Sequence, residues 1–297
     1  MLSRAMERSI SIVGAGRVGR TLGKRLRGLG WRVGSVVTRS AATSRAAVRQ
    51  IGAGKPYSRL APEILDSKVI LLTTPDGALG TVANALASLD ESKLRDKIVL
   101  HTSGAMDRAV LAPLARRGAS TGSIHPMQTF SGRGAPNLKK VIFAVEGDRR
   151  ATAVARKIAR SLGGMPVAIR GENKPAYHAA GLLVAGHSLG LMEAATQVLR
   201  KLGFSRRDAL RALLPLTRQM LDNFERLGPQ KSWTGPVSRG DFETVAKHRK
   251  AMQRYPREFQ EAYAALALLS GKILSRKPAG TSNQLKRALK KSTGGKS

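Results

Sequence analysis

The apolar run Ser9-Ile10-Ser11-Ile12-Val13 has strand length, and Gly14-Ala15-Gly16-Arg17-Val18-Gly19 follows it without a break. That spacing restricts the fold more than any other stretch of the chain. Gly14 permits a tight turn after the strand, Gly16 lets the backbone approach a pyrophosphate, and Gly19 lets the next helix pack close to the sheet. The helix that starts at Arg17 and Val18 offers its unpaired N–H groups to phosphate. Twenty residues beyond Gly19 stands Arg39, between Thr38 and Ser40 and with no carboxylate beside it. An NAD site places Asp or Glu there to hold the ribose hydroxyls. Arg39 instead suits a ribose phosphate, with Thr38 and Ser40 as hydrogen-bond donors. The turn predicts dinucleotide binding, and Arg39 favours NADP over NAD.

Strand-length runs then alternate with helical patterns through the first half. Strands are predicted at Arg32–Val37, Val69–Thr73, Lys97–His101, Ser120–Ile124, Val141–Val145 and Pro166–Ile169. Helices are predicted at Arg17–Leu29, Ala41–Ile51, Gly77–Leu89, Asp107–Arg116 and Arg150–Leu162. Such alternation predicts an α/β fold with a Rossmann-like, doubly wound parallel sheet. Near Gly171 the character changes to helix alone. Lys174–Leu202 is apolar all round and reads as one long buried helix. A helix from Ser205 is broken or kinked at Pro215 and ends near Gly228, and 229–240 reads as a loop. Asp241 opens another helix, and Pro256 separates it from a last one ending near Gly271. The expected domains are 1–170, nucleotide-binding; 171–277, helical, for substrate and dimerisation; and 278–297, a basic, disordered tail.

Cys is absent, which excludes disulfides and thiolate chemistry. Met1 to Arg8 is short and polar, and no run reaches the roughly 18–20 apolar residues of a membrane span. Cytoplasm is the expected location, with no membrane partner. Lys and Arg number 52 against 19 Asp and Glu, a net charge of +33. Such a charge attracts polyanions whatever the function. The few aromatics do not interleave with the basic residues, so specific nucleic-acid binding is not favoured. A nucleic-acid-binding protein and a non-catalytic NADP-binding sensor or scaffold are the alternatives to an enzyme.

The strand ends carry the candidate chemistry. Thr74 and Pro75 end one strand at the ligand-bearing carboxyl edge. His101 opens His-Thr-Ser-Gly-Ala, and His125 opens His-Pro-Met, each directly after a strand. His125 is the candidate proton donor near neutral pH, and Ser103 the candidate partner of the same substrate atom. Lys174 and His178 are four apart and share a helix face that continues through the small residues Gly181, Ala185 and Ser188. His187 points away from it. Metal-ligand spacings are absent. Thr234 and Arg239 belong to a polar loop where Arg239 suits a carboxylate or phosphate, while Asp241 suits a helix cap.

Gly14–Gly19, His101–Ala105, His125–Phe130, Lys174–Gly181 and Thr234–His248 together resemble a bacterial family of NADP oxidoreductases. In that family a Rossmann-like domain precedes a helical domain of unknown function. One departure is Gly186-His187, where such proteins often carry Ser-Asn. The wider kinship resembles pyrroline-5-carboxylate reductase, ketopantoate reductase, prephenate dehydrogenase and the β-hydroxyacid dehydrogenases. It implies an all-α second domain of the 6-phosphogluconate dehydrogenase C-terminal type, and a homodimer formed through the helices. It also implies hydride transfer between nicotinamide and a small anionic substrate. Ser103 and His125 match the serine and His-Pro pair that face substrate in prephenate dehydrogenase; with Lys174 and His178 they are the candidate catalytic group, and Arg239 and Thr234 are the candidate substrate-binding residues. A deazaflavin hydride partner is left open.

Overall fold

The computed structural model describes residues 8–132 and 134–290. Residues 1–7 of the polar lead and 291–297 of the basic tail lie outside the described residues.

The expected strands form around β1 (Ser9–Val13), whose five residues are all buried. After the glycine turn, α1 (Arg17–Gly28) buries Gly19, Leu22, Gly23 and Leu26, one face at helical spacing. Then come β2 (Arg32–Val37), α2 (Ala41–Ile51), β3 (Lys55–Tyr57), β4 (Val69–Leu72), α3 (Asp76–Ala87) and α4 (Glu91–Leu94). The series continues with β5 (Ile98–His101), α5 (Ala112–Arg116), β6 (Ser120–Pro126), β7 (Ile142–Gly147), α6 (Arg149–Ser161) and β8 (Met165–Ala168). The strands lie in the order β3-β2-β1-β4-β5-β6-β7-β8. Each face of the sheet has its own core. Ile10, Ile12, Leu22, Leu26 and Phe143 belong to one, and Val13, Ile70, Leu72, Leu79 and Leu86 to the other. Burial on both faces is why these strands read as continuous apolar runs.

Three local readings need correction. The sheet is not wholly parallel, because β7 runs antiparallel to β6, with Ser123 opposite Glu146 and His125 opposite Ala144. Residues 127–141 between them supply no crossover helix among the described residues, and a parallel return requires one. The three-residue β3 escapes notice because Pro56 sits in an exposed edge strand. In place of one helix over 107–116, a 3-10 turn (Arg108–Leu111) leads into α5.

The helical region comprises α7 (Lys174–Val184), α8 (Gly186–Lys201), α9 (Arg206–Leu227), α10 (Pro229–Ser232), α11 (Pro236–Arg239), α12 (Phe242–Met252), α13 (Arg257–Leu274) and α14 (Pro278–Leu289). The expected single helix over 174–202 is interrupted at Ala185 and is not buried. Leu183 is 61% exposed, Val184 76% and Leu189 72%. α9 runs unbroken through Pro215, and the loop expected at 229–240 contains α10 and α11. The tail was expected to be disordered, but 278–289 form α14. Leu285 is fully buried, and its Cδ1 occupies the space a Cβ at Gly271 would need.

Compact units divide between Gly186 and His187, so α7 belongs with the sheet. By length and composition alone, Gly171–Lys201 could cross a membrane. Its mean hydropathy reaches 1.2, with 6% of that window buried. By that measure the expectation of no run of spanning length does not hold for this helix. Its first turns nevertheless place Lys174 against polar protein groups (below), a surrounding unlike lipid.

β6 and β7 meet closely at Gly122 and Gly147. Gly147 has φ +145°, and a Cβ there would lie 2.6 Å from both Gly122 Cα and Thr121 O. Gly147→Ala is expected to lower stability by about 1–3 kcal/mol or more. The measurement is urea unfolding followed by circular dichroism.

Candidate active site

The glycine turn has the geometry that its spacing implies. Gly14 has φ +85°, and a Cβ on it would lie 2.5 Å from Thr74 Cγ2 and 2.7 Å from Thr74 N. A Cβ on Gly19 would strike Thr73 Oγ1. A Cβ on Gly16 would meet only Gly14 O, at 3.7 Å, so this residue faces open space. No side chain caps α1 at Gly16, and its first turn carries no acid. Its leading N–H groups therefore suit an anion. Thr74 Oγ1 is buried with no hydrogen-bond partner among the described residues, an orphan at the carboxyl edge where a ligand would satisfy it. Beside it, Pro75 precedes α3 as its cap residue.

At the end of β2, Ser40 Oγ caps α2 by accepting Thr43 N–H at 3.2 Å. Thr38 Oγ1 donates to Ser40 O at 3.0 Å and lies 2.6 Å from Thr43 Oγ1. Arg39 is exposed at this helix N-terminus and makes no hydrogen bond or ion pair among the described residues. Three mutually hydrogen-bonded hydroxyls, a guanidinium with no partner among the described residues and a helix N-terminus together have a chemistry that would suit a doubly charged phosphate. Thr43 is the member that sequence reasoning missed. These residues fit a dinucleotide bearing a ribose phosphate.

A second cluster joins the ends of β5 and β6 to α7. His101 is buried, and both ring nitrogens are engaged. Nε2 lies 3.1 Å from Asp107 O, and Nδ1 accepts Ser103 N–H at 3.2 Å. This is a loop-organising histidine. Ser103 Oγ accepts the N–H groups of Ala105 and Met106, at 3.2 and 2.9 Å, and keeps its own proton to donate. Lys174 is fully buried. Its Nζ donates to Ser103 O at 3.0 Å and Ser123 Oγ at 2.8 Å. Burial pushes this ammonium down to about 8, against the pull of Glu146, Asp107 and Asp76. The lysine thus positions the Ser103 loop and supplies a fixed charge.

His125 Nδ1 lies 3.1 Å from Tyr177 Oη, and the rings meet edge to face. The His178 ring stands at 89° to His125, centroids 5.7 Å apart. Both imidazoles close over Gly104, where a Cβ would lie 2.6 Å from His178 Cδ2 and 2.8 Å from His125 Nε2. One turn on, Gly181 faces Met127, whose Sδ would be 2.7 Å from a Cβ there. The helix face through Lys174, His178 and Gly181 therefore meets the sheet edge along its length. Tyr177 and Gly104 gave no sequence signal of their own. Tyr177 was adjacent to a chosen residue, but only the fold shows what it touches.

Burial, then Lys174, then His178 hold His125 down at about 4. It is neutral at pH 7, which corrects the expectation of a ready acid near neutrality. Burial pushes Tyr177 up to about 12, partly opposed by the Ala144 backbone. The contact serves either ring tautomer; with the phenol as donor to Nδ1, the proton of His125 sits on Nε2. Thr234 and Arg239 lie in the other compact unit, both exposed, Thr234 just before α11 and Arg239 as its last residue. His187 is exposed on α8. Asp241 is the cap expected, its Oδ1 accepting Thr244 N–H at 3.0 Å.

His101 and His125 titrate near 4 in the folded chain against a usual 6.5. Between those values the unfolded chain binds more protons, so stability is full above pH 6.5 and falls as pH drops towards 4. Each ring accounts for at most roughly 3 kcal/mol, and less where they interact. Urea midpoints measured from pH 7 to 4.5 should fall less steeply in His101→Gln than in the parent chain.

Residues 3–126 match the family model of a Rossmann-like domain. Residues 141–269 match a domain of unknown function, DUF2520. Among curated proteins nothing matches the chain. Solved structures do. BF3122 from Bacteroides fragilis, provisionally named an NADP oxidoreductase, has 22% identity and a TM-score of 0.74, over 88% of this chain and 97% of that one. Protein TM1727 from Thermotoga maritima has 24% identity and a TM-score of 0.68, over 94% and 100%. A reductive aminase from Aspergillus terreus, solved with NADPH and ethyl-5-oxohexanoate, has 19% identity and a TM-score of 0.63, over 98% and 96%. These likenesses are of fold. The two family matches follow each other along most of the sequence, and the chain is a Rossmann-like domain followed by a DUF2520 domain.

Proposed function

We propose that this chain is a cytoplasmic, homodimeric NADP-dependent oxidoreductase acting on a small anionic carbonyl, imine or alcohol. The observation that carries the cofactor is the Thr38–Ser40–Thr43 hydroxyl cluster beside the free Arg39, on the same sheet edge as the glycine turn. Likeness in fold to structures solved with NADPH supports it. Gly14, Gly16, Arg17, Val18 and Gly19 would hold the pyrophosphate, and Thr74 and Pro75 would line its passage along the edge. When bound, NADP supplies or accepts hydride at its nicotinamide ring.

The protein's own groups manage the heteroatom. His125 Nε2–H has no partner among the described residues and is the donor to the substrate oxygen or nitrogen. A neutral imidazole held near 4 polarises that atom without forming an ion pair with it. Tyr177 fixes the tautomer from Nδ1. The Ser103 hydroxyl adds a second donor, positioned by Lys174. Gly104 provides the close approach, and His178 flanks the ring. Thr234 and Arg239, exposed in the second compact unit, offer a hydroxyl and a guanidinium to an anion. Exposed apolar residues of the helices, among them Leu189, Leu216, Leu221 and Phe224, support a dimer, since a second copy would cover them.

The test is NADPH oxidation by the purified chain with panels of ketones, imines, and ketones mixed with amines. Binding without oxidation across all panels would favour the sensor, and no NADPH binding would end the proposal. Arg39→Asp should weaken NADPH by roughly 10–150-fold and leave NADH unharmed, as read by fluorescence titration. Equal NADPH affinity in that variant removes Arg39 as the reader. His125→Ala should lower kcat by about 10²–10⁴ with NADPH affinity nearly unchanged. Tyr177→Phe should cost less, because the imidazole remains.

A further inference from the structure

A polar row crosses three neighbouring strands beneath α7. In register, His101 of β5 lies beside Ser123 of β6, and Ser123 lies opposite Glu146 of β7. Ser123 is fully buried and the Glu146 side chain is 10% exposed. Polar groups at this depth are costly unless they satisfy one another. Ser123 Oγ accepts from Lys174 Nζ at 2.8 Å and donates its one proton to Glu146 Oε2 at 3.4 Å. Glu146 and Lys174 are thus an ion pair bridged by a serine hydroxyl. Glu146 Oε2 also accepts Arg108 N–H at 2.9 Å. The carboxylate lines a cavity of about 600 Å³ together with Asp107, Arg108, Thr121 and Glu172. His125, Tyr177 and His178 do not line that cavity.

We propose that Glu146 and Ser123 are positioning residues that hold the Lys174 ammonium charged and in place against the Ser103 carbonyl. The importance of that state for turnover rests on the function proposed above; the electrostatic link does not. The groups that face Lys174 are Glu146 from β7, Asp107 from the loop after β5, Asp76 from the start of α3, and the imidazoles of His101 and His125. Facing Glu146 are Lys174, Asp107 and Arg108. Asp107 Oδ1 is taken up as a cap by Ala109 N–H, and Asp76 is exposed. Only Glu146 reaches the ammonium through a hydrogen-bonded bridge among the described residues. Burial raises the Glu146 carboxyl while Lys174 and Arg108 oppose that rise, and Glu146 is the first of the groups that hold Lys174 up.

The experiment is NMR titration of the full chain carrying 13C-labelled lysine and histidine, for the parent, Glu146→Gln and Ser123→Ala. The Lys174 signal is assigned with Lys174→Arg and the His125 signal with His125→Gln. In the parent, Lys174 should titrate near 8 and His125 near 4. In Glu146→Gln the Lys174 midpoint should fall by about one unit, a tenfold change in acidity. His125 should keep its midpoint near 4, because Lys174 is charged at that pH in both chains. Ser123→Ala should move Lys174 the same way by less. Unfolding has a different signature, since it returns Lys174 upwards to its ordinary 10.5. If Glu146→Gln is unfolded by that criterion, Ser123→Ala decides. A Lys174 midpoint unmoved in a folded variant, or moved upwards there, overturns the link. Binding of NADPH, followed by fluorescence, should be the same in all three chains. A Lys174 shift of this size in a chain that oxidises NADPH with none of the ketones or imines would sustain this inference and sink the enzymatic one.

Discussion

The buried Lys174 ammonium is the interaction on which the arrangement of the sheet edge depends. A charge taken out of water is strongly unfavourable unless hydrogen bonds and an opposite charge compensate it. Here Ser103 O and Ser123 Oγ accept its protons, and Glu146 lies behind the serine. Satisfying Lys174 fixes the start of α7 over the ends of β5 and β6. That placement brings Tyr177 to His125 and His178 to Gly104. Burial first, and that charge second, keep His125 neutral.

The nucleotide edge is built differently, from backbone and small residues. Gly14 accommodates Thr74, Gly19 accommodates Thr73, and Gly16 leaves space. Nothing there depends on a buried charge. Altering Lys174 or its partners should therefore leave the cofactor edge intact, and altering Arg39 should leave the imidazole cluster intact. The two halves of the proposed site can be examined separately.

Most strands were legible because burial on both faces leaves short continuous apolar runs between turn residues. β3 was not, because an exposed three-residue edge needs little apolar content. The reversal of β7 was also hidden, since hydrophobic runs carry no direction. The all-round apolar character of 174–202 was visible, but its reading as a buried core helix failed in the single chain. Leu183, Val184 and Leu189 are exposed. The segment after Lys277 shows the opposite error. Its polar composition suggested disorder, yet Leu285 alone gives α14 a buried anchor against Gly271.

The sequence by itself determined the glycine turn, the cation at the end of β2, the two histidines at strand ends, and the i, i+4 pairing of Lys174 with His178. These are local features, set by spacing along one strand, turn or helix. Only the tertiary structure decided that Tyr177 meets His125, that His101 is consumed in holding a loop, and that Ser123 bridges Lys174 to Glu146. Those relations follow from strand order and register, which set opposite one another residues far apart in the chain. The protonation of His125 belongs to the same class. It depends on burial and on a charge 49 positions away in sequence (174 − 125 = 49), and neither is written in the residues beside it.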